Sequence, residues 1–281
     1  MSKRLWRVVP IYYAATLAMP GVALVAPKLL ASTRIETYHV IASFLFVPVA
    51  HPVTFSALPL LPVGWTLNCE VQFYLFFAAM IRFAPKVRMP AVASMIIAAV
   101  LLGYLIQPQN PTFAAWTSPI LIEFIFGMIL GRLWHDLPSS RHSGLEIGLA
   151  AVMLVSGFAG LLWIPGAWTA GILLRDMRWL LAGIPAMLIV GGCLLLERQS
   201  RIPEISPLTL LGNASYSLYL CHFFVIGLLR ALWPKSWAGV PVGEVGFLVS
   251  ILILSIAVSL VSYLLVERPL NRFGFYFRQT M

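Results

Sequence analysis

Residues 246–266, GFLVSILILSIAVSLVSYLLV, form a run of 21 residues without one charged side chain. A helix of this length, rising about 1.5 Å per residue, crosses the roughly 30 Å of hydrocarbon in a bilayer. Similar apolar runs recur along the whole chain. The run therefore predicts one membrane-spanning helix among several.

The composition excludes an ordinary soluble domain. Hydrophobic residues make up 60% of the 281 residues and charged residues only 10%, against about 25% charged in an average soluble domain. We predict an all-α, polytopic transmembrane helical bundle with about eight spans, forming one domain over residues 1–281. The predicted spans are 8–26, 65–84, 91–107, 116–134, 146–165, 179–196, 208–230 and 246–266.

The basic residues predict the orientation of these spans. The net charge is +9, but the 19 basic residues are scattered in short groups between apolar runs, which argues against a nucleic-acid partner. If the N-terminus is cytoplasmic, 13 of the 19 fall on the cytoplasmic side. The positive-inside rule then predicts a multi-pass protein of the cell's inner, cytoplasmic membrane with both termini in the cytoplasm.

Residues 27–64 form the longest stretch between predicted spans. The apolar piece 39–50 is too short to cross a bilayer, and four prolines lie between positions 48 and 62. We expect an outer segment with a re-entrant or interfacial piece. His39 and His51 are assigned to loops without ligand spacing, and the three cysteines have no CxxC spacing, so no metal site is predicted.

Three ionisable residues fall inside predicted spans, where such groups are costly and usually face a cavity or a partner. These residues are Glu70, Glu123 and His222. Measured along the helices from the outer ends of their spans, they lie at similar depth in the outer half. This polar layer predicts either a chemical site or a polar pathway near the outer leaflet.

Glu70 lies in GWTLNCEVQFYLFF, residues 64–77. Helical spacing puts Asn68 and Gln72 on one stripe, and Glu70 with Tyr74 on a neighbouring one. So many polar side chains in a membrane helix predict a lined cavity. The alternative is a structural carboxyl group that locks two helices together through a hydrogen bond.

His222 shares a predicted helix face with Ser215 and Tyr219, which precede it by seven and three residues. A single histidine in such a run is more often a packing partner than a catalyst. Glu123 is followed by Gly127 and Gly131, a GxxxG pattern that permits close helix contact. For Glu123 the structural interpretation is favoured.

The chain opens with the basic residues Lys3, Arg4 and Arg7. Such residues at a cytoplasmic helix end can bind phosphate groups through charge-assisted hydrogen bonds. They can equally anchor the helix on anionic lipid.

Five motifs together resemble the integral membrane acyltransferase family 3. In order they are KRLWRVVP at 3–10, GWTLNCEVQFYLFF at 64–77, IEFIFGMILG at 122–131, LLGNASYSLYLCHFFVI at 210–226 and VERPL at 266–270. They occur in the order of the family and run nearly from end to end. The GWTLN form is most similar to the exopolysaccharide O-acetyltransferases of that family.

The resemblance implies an enzyme that moves an acetyl group from acetyl-coenzyme A to hydroxyl groups of an exopolysaccharide or a lipid-linked glycan. Such an enzyme is expected to need no permanently bound cofactor and no metal. The implied catalytic residues are Glu70 and His222, and the coenzyme's phosphates would be bound at the N-terminus. The implied substrate-binding residues are Asn68, Gln72, Tyr74, Ser215, Tyr216 and Tyr219, and the implied coenzyme-binding residues are Lys3, Arg4 and Arg7.

The sequence departs from the family at its start. Members ordinarily begin with two further helices, the first carrying an arginine and a histidine regarded as the catalytic base. Nothing before Ser2 supplies these residues. We expect an in-frame upstream extension of about 60–80 residues encoding two spans; otherwise the chain is a truncated, inactive acyltransferase.

A non-catalytic alternative also fits the polar layer. The same groups could bind or transport a carbohydrate or lipid-linked substrate without covalent chemistry. Secondary transporters, however, usually show internal repeats with interrupted spans in matching halves. No such repeat is visible in this sequence.

Overall fold

The computed structural model describes residues 2–25, 35–136, 144–168, 177–199, 201–203, 205–237 and 239–271. All regular secondary structure in these ranges is helical. The chain divides into two compact units. Unit one comprises Met1–Asn68 and Ile205–Met281, and unit two comprises Cys69–Glu204.

Eleven α-helices lie within the described ranges. They are α1 Ser2–Val25, α2 Thr37–Phe44, α3 Trp65–Ala79, α4 Pro85–Ile106, α5 Pro111–Trp116, α6 Ile122–Asp136, α7 Gly144–Trp168, α8 Ile184–Arg198, α9 Ser206–Asn213, α10 Ser215–Leu232 and α11 Pro241–Ser262. Two π-helical turns, Trp179–Gly183 and Tyr263–Glu267, adjoin α8 and α11. Proline stands in the first turn of several helices, where its missing N–H has no intrahelical partner to lose.

The all-helical, polytopic class predicted from the sequence is confirmed. Six described helical stretches are long and apolar enough to cross a membrane: Pro85–Ile106, Pro111–Asp136, Gly144–Ile164, Trp179–Arg198, Ser215–Leu232 and Pro241–Asn271. A seventh stretch, Val8–Ala23, is apolar but shorter. The count of eight, the positions of the termini and the single-domain organisation stay predictions.

Two predicted spans have different limits in the structure. The predicted span 208–230 is two helices, α9 and α10, which meet at Ala214. Gly212 and Asn213, which immediately precede the break, are residues that commonly end helices. The predicted span 65–84 is the shorter helix α3, with only 15 residues.

The core of unit one is built around α1. Tyr12, Met19, Leu61 and Leu220 are buried together there. A Cβ atom built on Gly64 would lie 2.5 Å from a ring carbon of Tyr12, so only glycine permits this close approach. Because Tyr12 is near the middle of α1, helix α3 begins beside the middle of α1 rather than at its end.

The segment between α1 and α3 folds back onto α1. The Tyr12 hydroxyl donates to the Ser43 carbonyl at 3.3 Å, and the Tyr13 hydroxyl donates to the Phe44 carbonyl at 2.8 Å. The Ser43 hydroxyl accepts from the Leu60 N–H at 2.8 Å. These contacts hold the segment against α1, and its re-entrant or interfacial position stays a prediction.

The same segment brings two histidines together. His39 lies in α2, so its assignment to a loop was wrong, and its Nε2 donates to the Leu58 carbonyl at 2.8 Å. The ring centroids of His39 and His51 are 5.1 Å apart. The Nδ1 of His51 accepts from the N–H groups of Val53 and Thr54 at 3.2 and 3.3 Å. Burial, together with the neighbouring His39, lowers the pKa of His51.

Unit two depends on close packing of α7 against α8. A Cβ atom on Gly157 would meet Ile189 Cγ1 at 2.7 Å and the Pro185 carbonyl oxygen at 2.8 Å. A Cβ atom on Gly192 would lie 3.0 Å from the Ala150 carbonyl oxygen. Small residues therefore let the two backbones approach, as is common between membrane helices.

The GxxxG pattern predicted to mediate such contact lies elsewhere. A Cβ atom on Gly127 or Gly131 would meet nothing within 4 Å. Among the described residues, no helix therefore makes the close contact that this pattern permits. The spacing of two glycines permits an approach, but it does not say which helix pair makes one.

The glycine contacts predict unequal effects of one substitution. Gly157→Ala forces the α7 and α8 backbones apart. We therefore expect the free energy of unfolding to fall by about 1–3 kcal/mol and the midpoint of thermal unfolding in detergent to be lower. Gly131→Ala is the matched control and should leave the midpoint unchanged or slightly raised, because alanine favours helix. Equal effects of the two substitutions would contradict the assigned packing.

The lowered pKa of His51 predicts acid sensitivity. In the unfolded chain His51 binds a proton near pH 6.5, whereas the folded protein takes it up only at lower pH. Stability is therefore complete above about pH 6.5 and falls as the pH drops below that value. His51→Asn keeps an acceptor for the two N–H groups and should flatten this part of the pH dependence of the unfolding midpoint. An unchanged slope would show that His51 does not carry it.

Candidate functional site

Glu70 and Tyr74 form a hydrogen-bonded pair on α3, within unit two. The Tyr74 hydroxyl donates to Oε1 of Glu70. This is the i,i+4 contact that the helical spacing predicted. A phenol bound to a carboxyl group on an apolar helix places a proton donor and an acceptor side by side.

Gln72 and Asn68 lie on the same helix and are both buried. The Gln72 side-chain amide donates to the carbonyl of Trp116 at 2.7 Å. Trp116 is the last residue of α5, so the bond holds the end of α5 against α3. Neither side-chain polar atom of Asn68, in unit one, has a hydrogen-bond partner among the described residues. Gln72 therefore has a structural contact, whereas Asn68 retains an unused donor and acceptor.

Glu123 contacts a π-helical turn of unit two. Its side-chain Cγ lies 3.2 Å from the position of a Cβ atom on Gly183, the last residue of the turn Trp179–Gly183. Phe124, the next residue, stacks on Phe73 of α3 with ring centroids 4.8 Å apart. The structural role predicted for Glu123 fits these contacts, although the partner is the π-helical turn rather than a GxxxG face.

Tyr219 connects α10 to the start of α3 within unit one. Its hydroxyl donates to the Val63 carbonyl and lies 2.7 Å from the Thr66 hydroxyl. Residues more than 150 positions apart in the chain therefore share one hydrogen-bond network. Thr66 belongs to this network and was not predicted, because an isolated threonine at a helix start carries no distinguishing signal.

Two further residues of α10 bind neighbouring segments. The Tyr216 hydroxyl donates to the Val8 carbonyl at 2.9 Å, and the Ser217 hydroxyl donates to Oε2 of Glu267 at 2.6 Å. Glu267 is only 1% exposed and ends the π-helical turn that follows α11. In the sequence Glu267 stood out only as part of the motif VERPL, and Ser217 was missed because it lies outside the face shared by Ser215 and Tyr219.

The ring of His222 is oriented by its own helix. Nδ1 lies 3.2 Å from the Leu218 carbonyl oxygen, four residues earlier. A carbonyl oxygen can only accept, so Nδ1 donates the hydrogen of this bond. Tyr219 lies alongside, with ring centroids 6.0 Å apart. The bond to Leu218 therefore orients the imidazole ring from within its own helix.

The remaining predicted site residues lie at the starts of α10 and α1. Ser215 is the first residue of α10, and its exposure does not distinguish it as a site residue. Lys3, Arg4 and Arg7 lie in the first turns of α1, and their side chains fall outside the described part of the chain.

Two further predictions concern the whole site. The predicted common layer of Glu70, Glu123 and His222 joins residues of both units and stays a prediction. Among the described residues, no group of three or more potential ligands could hold a metal ion.

Comparison with known proteins identifies the family. The model of an acyltransferase domain matches residues 1–264. The exopolysaccharide production protein ExoZ of Rhizobium meliloti is 31% identical over 98% of this chain and 81% of its own length. No solved structure matches the chain significantly.

Two further relatives are similar over less of their own length. The acyltransferase MdmB of Streptomyces mycarofaciens is 27% identical over 74% of this chain and 57% of MdmB. The O-acetyltransferase OatA of Staphylococcus aureus is 24% identical over 75% of this chain and 36% of OatA. The matched family and these relatives agree with the five sequence motifs, and the chain belongs to the integral membrane acyltransferase family 3.

Proposed function

We propose that this protein transfers an acetyl group from acetyl-coenzyme A to hydroxyl groups of an exopolysaccharide or another envelope glycan, in the cytoplasmic membrane. The observation that carries the proposal is the hydrogen-bonded pair of Glu70 and Tyr74 on α3. Support for the acceptor comes from the names of the relatives, one an exopolysaccharide production protein and another an O-acetyltransferase.

The reaction requires a proton acceptor and a stabilised oxyanion. The acceptor hydroxyl oxygen attacks the thioester carbonyl carbon, the carbon–sulfur bond breaks, and the hydroxyl proton ends on the departing coenzyme thiol. We propose Glu70 and His222 as catalytic residues, Glu70 to orient or polarise the reacting groups and His222 to contact the substrate; general acid–base catalysis of the proton transfer typically contributes about 10²–10⁴-fold. The carbonyl oxygen gains negative charge at the same time and needs hydrogen-bond donors.

Several polar groups on α3 and α10 suit the binding of substrate. Asn68 is buried with an unused amide, so it can both donate to and accept from a bound molecule. Tyr219 is held in place through Val63 and Thr66. Tyr74 is held on Glu70 through its hydroxyl, and we propose it as a further substrate-binding residue. We further assign Gln72 and Tyr216 to supporting the site and Ser215 to its rim.

The donor is proposed to bind at the basic N-terminus. Acetyl-coenzyme A carries phosphate groups, and Lys3, Arg4 and Arg7 lie within two turns at the start of α1. Charge-assisted hydrogen bonds from lysine and arginine to phosphate are among the stronger ones available. Under the predicted orientation these residues meet the donor in the cytoplasm.

Labelled acetyl-coenzyme A separates the proposal from a transport function. Membranes carrying the protein are supplied with acetyl-coenzyme A labelled in the acetyl group, together with de-O-acetylated exopolysaccharide of the source organism. Label on the carbohydrate supports the transferase. Carbohydrate movement across sealed vesicles without any label would support the transporter and contradict the proposal.

Glu70→Gln should abolish this transfer. The substitution keeps the size of the side chain and removes the carboxylate, so we expect acetyl incorporation to fall by at least about 100-fold at an unchanged amount of membrane protein. Glu197→Gln is the matched control, because Glu197 is an exposed carboxylate near the end of α8. Retained transfer by Glu70→Gln would remove Glu70 from the chemistry.

Neutralising the N-terminal basic residues should weaken donor binding. With Lys3, Arg4 and Arg7 all replaced by glutamine, we expect the KM for acetyl-coenzyme A to rise by at least about tenfold, since each lost charged hydrogen bond to phosphate removes about 1.5–3 kcal/mol. The KM for the glycan should not change. Lys86→Gln combined with Arg132→Gln is the control, because both residues are also predicted to be cytoplasmic. Equal effects of the two sets on the donor KM would indicate general charge attraction rather than a phosphate site.

A further inference from the structure

A cavity of about 500 Å³ lies where α10 ends and α11 begins, entirely within unit one. Its walls include the rings of Trp233, Trp237 and Phe247, and Arg230 and Glu244 also line it. The volume is in the range of about 300–1,000 Å³ that is usual for small-molecule sites. None of these residues has a role in the proposed acyl-transfer site.

The aromatic wall is fixed by packing. The ring of Trp233 meets Trp237 and Phe247 edge to face, with centroids 5.8 and 5.2 Å apart. A Cβ atom on Gly243 would overlap with the Trp237 carbonyl oxygen, so only glycine lets α11 start against the short 3₁₀ turn Lys235–Trp237. The rings therefore form a concave surface of defined shape.

The charges of the cavity favour a neutral ligand. Arg230 lies in the last turn of α10 and Glu244 in the first turn of α11. One cation and one anion give no net attraction for a phosphate or an anionic lipid. They do supply several donors and acceptors, which suits a ligand rich in hydroxyl groups.

We propose that this cavity binds a sugar unit of the glycan acceptor, away from the hydroxyl that is acetylated. A pyranose ring has an apolar C–H face that stacks on an aromatic ring and a rim of hydroxyl groups for Arg230 and Glu244. Arg230 follows His222 by eight residues on α10, a rise of about 12 Å. Binding at such a distance would hold a neighbouring sugar unit of the same glycan. The inference rests on the proposed glycan acceptor but concerns binding, not transfer.

The aromatic residues of the cavity could instead serve the membrane. Tryptophan is enriched where helices leave a membrane, without any ligand. A choline headgroup could also enter an aromatic cavity as a cation. Neither role predicts that loss of one aromatic ring weakens carbohydrate binding, so oligosaccharide affinity separates both roles from a sugar site.

The test measures binding without acetyl-coenzyme A. The full chain in nanodiscs of phosphatidylglycerol alone is titrated with de-O-acetylated oligosaccharides from the exopolysaccharide of the source organism. We expect Trp237→Ala to weaken their binding by about tenfold, equal to about 1.4 kcal/mol, and Trp237→Phe to weaken it by less than threefold. Trp163→Ala, which removes an exposed tryptophan of α7, is the control and should not change the affinity. Glu244→Gln should weaken binding and Glu197→Gln should not.

The outcomes separate this inference from the proposed function. Failure of the wild-type chain to bind the oligosaccharides, or equal binding by wild type and Trp237→Ala, would overturn the inference even if acetyl transfer is observed. Oligosaccharide binding that depends on Trp237 would sustain it even if transfer is not observed. A second result would also overturn the inference. If phosphatidylcholine abolishes sugar binding and changes the tryptophan fluorescence of the wild type but not of Trp237→Ala, the cavity binds a lipid headgroup.

Discussion

The lack of water in a bilayer is the constraint on which the rest of this structure depends. Every backbone N–H and carbonyl group in the hydrocarbon region must find its partner within the protein. Helices satisfy the backbone, and the polar side chains of unit one largely satisfy each other or bind carbonyl groups. Tyr12, Tyr13 and Tyr216 each donate to a carbonyl of a distant segment, and Ser217 donates to the buried Glu267. The same hydrogen bonds that make burial tolerable also fix the segments relative to one another inside the unit.

This constraint explains which parts of the fold could be predicted from sequence. An apolar run must be helical, so the existence of the long helices followed from composition and length alone. Helix ends were predicted less well, because they depend on local chemistry such as the break at Ala214 after Gly212 and Asn213. The GxxxG pattern permits a close contact that no described helix makes, because packing between helices is decided by the facing surface. Among the described residues, Gly157 and Gly192 have a closely packed neighbour and Gly131 has none.

The contacts of the candidate site also divide into those that the sequence predicts and those that only the folded chain creates. The contact between Glu70 and Tyr74 was predictable because four residues along a helix fix the neighbours. The contact of Tyr219 with Val63 and Thr66 was not, since it joins positions whose proximity only the folded chain creates. Glu267 illustrates the intermediate case. Its motif was visible, but its partner Ser217 lies on a helix face that the predicted spacing of site residues left out.

His222 shows how one side chain can be oriented with little help from elsewhere in the chain. Catalytic histidines are commonly oriented by a carboxylate that binds one ring nitrogen. Here the bond from Nδ1 to the Leu218 carbonyl does this within a single turn of α10. A backbone carbonyl has two lone pairs, so it can accept this bond besides the helical one. An uncharged partner also avoids placing a carboxylate beside the ring in a medium where an unpaired charge is unfavourable. The ring orientation of a histidine in an apolar helix can therefore be set by local helix geometry alone.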